Sequence, residues 1–317
     1  MILDYSAACG VLGGLRRRSL KESDIEQFKE KDAAFLKESL RKYLEEDYPP
    51  QDRTDYLERA LYVSHLKKTV KLLRFLDVSV SGVLKALLLE FDILNLKLLM
   101  RRIKLKKDVS SDMFYWGYPY LVFKNRAPDS FEEIEDLERY LKREPWTRDI
   151  FIKALKDLNF YKDIYHFDIC LDREYLKLLQ KESLKIDRTS SLLIQYFIAV
   201  RSLIYALRLK FFQERDLEEI ISSFSLSPFF DKDFFSEVLN APSLKEGLYL
   251  VEKNPIFLKF KAELSSNFEE DLRNIFYSRF LRKRGGNVFS LHPYLVFYLS
   301  QRYIIEKMIF IINSTLK

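Results

Sequence analysis

Residues 88–102 read LLEFDILNLKLLMRR. At roughly 100° per residue, Glu90, Lys97, Arg101 and Lys104 fall within about 60° of one another, a narrow solvated stripe on a helix over about 84–106. Nearly everything else there is Leu, Ile, Phe or Met. A helix so apolar around its circumference is wrapped by neighbours on most sides. Asp92 and Asn95, at i and i+3, lie outside the charged stripe. Polar groups in an apolar surround need partners. The pair is therefore expected to bond to neighbouring helices and fix packing, in preference to a ligand-binding role.

Outward from this helix the pattern stays helical. Only 8 Gly and 9 Pro occur in 317 residues, and none of the Gly lies between Leu15 and Ser81. Few turn residues over a long chain mean long helices rather than many short strands. Upstream, apolar residues recur at helical spacing from Ile25 to Leu44, after a capping box expected at Ser19 and Glu22, and stop at Tyr48, Pro49 and Pro50. This reads as one helix of about seven turns. A second helix is expected from about residue 52 to 76. Gly10, Gly13 and Gly14 read as a bend before them.

Downstream, residues 108–130 hold Gly117, Pro119, Pro128 and the cluster FYWGYPY at 114–120. They form a linker whose rings either pack onto a neighbouring helix or bind a partner. Further helices are expected at about 131–142, 147–158, 171–182, 190–212, 214–224, 267–283 and 293–313. Capping boxes are expected at Ser130 with Glu133 and at Ser243 with Glu246. Residues 224–233, with Pro228, read as a loop, and Gly285 with Gly286 as a helix stop.

Three strongly apolar helices recur at near-equal intervals, 84–106, 191–212 and 293–313. Asn95, Ser202 and Met308 superpose with spacings of 107 and 106 residues, which places Arg101 on Arg208. A fixed period is the mark of duplicated units. The expected organisation is three helical units, 1–107, 108–213 and 214–317. No shorter period of solenoid type is present.

The chemistry of a catalytic site is missing from the sequence. His65, His166 and His292 are isolated, and Cys9 and Cys170 are far apart. No metal, cofactor or catalytic constellation is expected from them. The glycines at 10–14 lack the strand and the Lys-Ser/Thr of a phosphate cradle. Residues 80–100 and 293–313 are apolar but carry charges such as Lys85, Glu90, Asp92, Arg302 and Glu306. They read as buried helices rather than membrane spans, and no signal peptide is expected. The net charge of +6 suits nucleic acid, anionic lipid or an acidic protein. Basic runs occur at 16–18, at Arg101, Arg102, Lys104, Lys106 and Lys107, and at Arg279, Arg282, Lys283 and Arg284. The last two runs fall at helix C-termini, where cations complement the helix dipole or form a docking surface.

Several motifs, in order, resemble one family. Asp92, Asn95, Leu96, Lys97 and Arg101 match the acidic, Asn-Leu-Lys, Arg helix of the C subunit of V/A-type rotary ATPases, called the d subunit in V-ATPases. Residues 170–175, CLDREY, resemble its Leu-Asp-x-x-Tyr helix start, preceded by Glu144, Pro145 and Trp146. Residues 268–274, FEEDLRN, followed by PYLVFYL at 293–299, are similar to its last unit, and residues 4–20 suit its opening helix. The sequence departs from the pattern at Tyr303, Ile305 and Met308, and at Ala199 and Ser202, where the family has acidic residues and Asn.

The resemblance implies an all-α, funnel-like fold of three similar helical domains with pseudo-threefold symmetry. It implies a non-catalytic central-stalk connector, without cofactor or small-molecule substrate, that joins the shaft subunits to the membrane rotor ring and transmits torque. The localisation implied is cytoplasmic, peripheral on the membrane through the ring. Arg101, Arg102, Lys104, Arg282 and Lys283 are the expected partner-facing residues. A helical adapter of another pathway, or a basic nucleic-acid-binding protein, are the alternatives; the connector reading carries no nucleic acid.

Overall fold

The computed structural model describes the chain except residues 1, 30–31, 45–47, 50–52, 77, 108, 111–112, 214, 225–228, 259–263, 266, 282–289 and 316–317, and gives only the backbone of 2–6, 29, 78–80 and 279–280. The chain is all-α, 81% helical, with no strand among the described residues. Its helices are α1 Ile2–Arg17, α2 Glu22–Lys29, α3 Ala33–Leu44, α4 Thr54–Leu73, α5 Val78–Leu105, α6 Ile134–Leu141, α7 Pro145–Tyr161 and α8 Ile164–Ser183. They continue with α9 Arg188–Gln213, α10 Leu217–Phe224, α11 Lys232–Leu239, α12 Leu244–Lys253, α13 Pro255–Leu258, α14 Phe268–Phe276 and α15 His292–Thr315. A π-helical turn, Tyr277–Leu281, follows α14.

Two compact units result, and their division falls within α7. Unit 1 comprises Met1–Leu155 with Asn287–Lys317, and unit 2 comprises Lys156–Gly286. In unit 1, α15 packs on α4, α2 and α1, and α4 also meets α3 and α5. Side chains pin α15 in place. Its Tyr298 hydroxyl donates to the Leu87 carbonyl of α5 at 3.3 Å. The Tyr298 ring lies 4.6 Å from that of His65 on α4. Gln301 donates to the Leu20 carbonyl at 3.0 Å. In unit 2, α9 is the central rod, covered by α8, α10, α11 and α14. Gly247 brings α12 close: a Cβ there would lie 3.1 Å from the Val238 carbonyl oxygen and 3.2 Å from the Phe211 ring.

The helices expected at about 52–76, 84–106, 190–212 and 293–313 appear as α4, α5, α9 and α15. Others differ for local reasons. The seven-turn helix is two, α2 and α3, because the Asp32 carboxylate accepts the Phe35 N–H at 2.8 Å and starts a new helix. Ser19 does not cap α2; its hydroxyl donates to the Leu15 carbonyl, and Asp24 accepts the Lys21 N–H instead. Ser130 likewise turns to the Ala127 carbonyl, and α6 begins at Ile134 without a side-chain cap. The Ser243 cap forms as expected, accepting the Glu246 N–H. Gly10, Gly13 and Gly14 make no bend: α1 runs through all three. The expected stop at Gly285 and Gly286, and Pro228 of the expected 224–233 loop, lie outside the described residues.

By length and composition, α9 alone among the described helices could cross a membrane, yet 67% of its apolar window is buried inside the protein. A core helix passes the same test, and its cover by four helices of unit 2 accounts for the apolarity.

Candidate functional site

Helix α5 is buried along most of its length, as its composition demands. Glu90, however, does not belong to a solvated stripe. It is 7% exposed and forms an ion pair with Arg302 of α15, whose Nη2 lies 2.6 Å from Glu90 Oε1. Arg302 also binds Glu306 at 3.1 Å. Leu94, exposed one turn on, takes the place of Glu90 at the surface beside Lys97, Arg101 and Lys104.

Asp92 and Asn95 bond to the segment after α5 rather than to a neighbouring helix. Asn95 accepts the Tyr115 N–H at 2.8 Å and donates to the Tyr115 carbonyl at 2.5 Å. Its amide thus pairs with one residue's backbone as another peptide would. The Val122 N–H lies 3.1 Å from both carboxylate oxygens of Asp92. From α4, Arg59 donates to the Phe114 carbonyl at 2.9 Å. Residues 114–123 therefore form a strap, its backbone bonded in part by these side chains and ending in a 3-10 turn over Val122–Lys124.

The strap closes on itself through the Gly117 N–H to the Phe123 carbonyl at 3.1 Å. Gly117 has φ +80°, a conformation that favours glycine. The aromatic cluster divides between the two readings of the sequence. Phe114 and Tyr115 are buried, with Tyr115 5.0 Å from Phe91, whereas Trp116 and Tyr120 are 43% and 39% exposed. Lys85 places its ammonium 5.4 Å from the centre of the Tyr120 ring.

Asp92 is 1% exposed, and among the described residues no cation pairs with it. Burial pushes its carboxyl up to about 8, and the Val122 and Phe123 N–H groups offset part of that rise. His65, under α15, is the converse. Burial, then the Arg302 and Lys68 charges, push it down to about 3, and neither ring nitrogen finds a hydrogen-bond partner among the described residues.

The basic end of α5 follows the strap-bearing turn. Arg101 and Arg102 are half-buried and spend donors on carbonyls, Arg101 on Lys97 and Arg102 on Asp129. Lys104, Leu105, Lys106 and Lys107 are exposed. Arg282 and Lys283 lie outside the described residues. Among the described residues no three His, Cys, Asp or Glu side chains are grouped to hold a metal.

The superposed positions differ in their contacts. Arg208 pairs with Glu269 of α14 at 3.2 Å, whereas Arg101 turns back on its own helix. Ser202 is fully buried, and its hydroxyl has no partner among the described residues, unlike Asn95. Sequence reasoning missed Arg59, Glu90 and Arg302 as fixed polar groups. Only the i, i+4 placement of Arg302 and Glu306 could have signalled one of them.

The model of the family described as ATP synthase (C/AC39) subunit matches residues 8–316. The chain belongs to this family. Its members are the C subunits of V/A-type rotary ATPases and the d subunits of V-ATPases, which are central-stalk components. No curated protein matches the chain. Asp92 and Asn95, which helped carry the resemblance, are two of the residues that hold the strap.

Proposed function

We propose that this chain is the non-catalytic connector of a V/A-type rotary ATPase, joining the shaft subunits to the membrane rotor ring and transmitting torque. The family match over residues 8–316 carries this reading. The long packed helices α4, α5, α9 and α15 support it, because a torque-bearing part must be stiff. In this reading the protein is cytoplasmic and peripheral, reaching the membrane only through the ring. Recurrence of the apolar helices in α5, α9 and α15 supports three similar helical units, 1–107, 108–213 and 214–317. That is a statement about likeness along the sequence, and the two compact units are a statement about contacts.

Arg101, Arg102, Lys104, Arg282 and Lys283 are the partner-facing residues of this proposal. Exposure supports Lys104 most directly, with Lys106 and Lys107 beside it. The test is reconstitution of the purified chain with ring and shaft subunits. Co-migration with both is the expected result. Lys104→Glu should weaken assembly while the far-UV circular dichroism stays unchanged. A chain that remains alone beside a competent ring and shaft overturns the proposal.

A further inference from the structure

We infer that residues 116–120 of the strap, WGYPY, are a docking surface for a protein partner that presents an apolar patch with a carboxylate at its edge. Trp116, Gly117, Pro119 and Tyr120 are exposed and Tyr118 is half-buried. No charged side chain occurs from Met113 to Phe123. Aromatic rings without charge are the composition of an interface centre rather than of ordinary protein surface. The turn is also fixed in one shape. Tyr120 has φ +73°, a left-handed conformation that an aromatic residue rarely adopts and that glycine would take at less cost. The backbone is fastened on both sides of it. Asn95 pairs with both backbone groups of Tyr115, Asp92 accepts the Val122 N–H, and the Gly117 N–H reaches the Phe123 carbonyl. Phe114, Tyr115, Leu121, Val122 and Phe123 are buried, so the anchors lie in the core while WGYPY stands at the surface. Rings held in place before a partner arrives lose little freedom when covered, which favours binding.

Charge selects the partner. Lys85 of α5 holds its ammonium 5.4 Å from the centre of the Tyr120 ring. The residues three and four positions away on its helix are Ser81, Gly82, Leu88 and Leu89, none of them acidic. Among the described residues no carboxylate pairs with Lys85. The other cations around the strap are engaged, Lys124 by Glu144, Arg126 by Asp136 and Arg59 by the Phe114 carbonyl. An ammonium that faces a ring and lacks a counter-ion, at the edge of an uncharged aromatic surface, complements a carboxylate brought by another protein. This inference rests on the connector reading, which places the partner among the shaft and ring subunits.

The test is oxidative footprinting of the native chain, free and assembled with purified shaft and ring subunits. Trp116 and Tyr120 should lose reactivity on assembly. Trp116→Ala should weaken assembly by about tenfold or more. Lys85→Glu should weaken it by about tenfold and Lys85→Arg should preserve it. Slow hydrogen exchange at the Tyr115 and Val122 amides should persist in each variant, which separates loss of the docking surface from loss of the strap. Where Trp116→Ala does not fold, the native footprint and Lys85→Glu decide. Undiminished Trp116 reactivity in the assembled complex overturns the inference and leaves the connector reading standing. Native affinity in Lys85→Glu overturns it too. Protection of Trp116 that appears in the chain alone as its concentration rises, or with phosphatidylserine vesicles alone, gives the surface to a second copy or to lipid and likewise overturns it. A native chain that joins neither shaft nor ring overturns it together with the connector reading.

Discussion

Arg302 and Glu90, 212 residues apart in sequence, form a buried ion pair that ties α15 to α5. Removing one partner of such a pair strands the other charge, at a cost of about 3 kcal/mol or more. Glu306 remains beside Arg302 and limits the loss. Glu90→Ala should therefore destabilise unit 1 by about 3 kcal/mol in denaturant unfolding. Glu90→Leu combined with Arg302→Met should cost less than Glu90→Ala alone. A single substitution with no effect on the midpoint would show that solvent reaches the pair.

Asn95→Ala leaves the Tyr115 N–H and carbonyl without their partner inside the protein. Each stranded buried group costs about 1–3 kcal/mol. The expected outcome is a loss of about 2 kcal/mol or more, with fast exchange at Tyr115. Unchanged protection at that amide would mean another group takes over.

Arg102 and Lys104 should separate in an alanine test. Arg102 holds the Asp129 carbonyl of the Pro128–Ser130 turn, so Arg102→Ala should cost about 1 kcal/mol. Lys104 is exposed, so Lys104→Ala should stay within about 0.5 kcal/mol. Thermal unfolding of the two variants checks this without any partner present.

His65 and Asp92 should act oppositely on stability as pH changes. His65 is pushed down to about 3, so unfolding takes up a proton below the ordinary imidazole value near 6.5. Its contribution is present above that value and is lost as pH falls towards 3. Asp92 is pushed up to about 8, so its contribution is present below the ordinary carboxyl value near 4 and is lost as pH rises towards 8. Between about pH 4 and 6.5 the two slopes oppose. His65→Phe should make stability fall as pH rises in that window, and Asp92→Asn should make it rise. Identical pH profiles for the two variants would contradict both assignments.

Gly247→Ala should destabilise unit 2. A helix interior gains about 1 kcal/mol from Ala. Here the new methyl meets the Val238 carbonyl oxygen at 3.1 Å, a backbone atom that cannot swing aside. The expected net loss is about 1 kcal/mol, seen as a lower thermal midpoint.

The long helices were legible in the sequence because burial on all sides leaves an unmistakable composition, as in α5 and α9. The breaks were less so. Several helix starts rest on aspartates, Asp32, Asp163 and Asp231, each accepting an N–H two or three residues on. A search for Ser followed by Glu finds none of these. The glycines of α1 read as a bend because isolated propensity favours one, while the packing of Ala8, Leu12 and Leu15 into the core sustains the helix. Asp92 and Asn95 were legible as buried and paired, but their partner was not, since a strap leaves no periodicity. Glu90 sat in the charged stripe by angle, and its burial follows from a residue on a helix more than two hundred positions away.

The discontinuity of unit 1 has a consequence during synthesis. Unit 2 is one contiguous stretch, Lys156–Gly286, and all of it is translated before α15. Domains fold as units in order of emergence. Unit 1 must wait, with the face of α4 that carries His65 and the carboxylate of Glu90 still lacking their cover. A nascent chain that stops between Gly286 and α15 holds the whole of unit 2 and only part of unit 1, which makes α4 and α5 the segments a chaperone would meet.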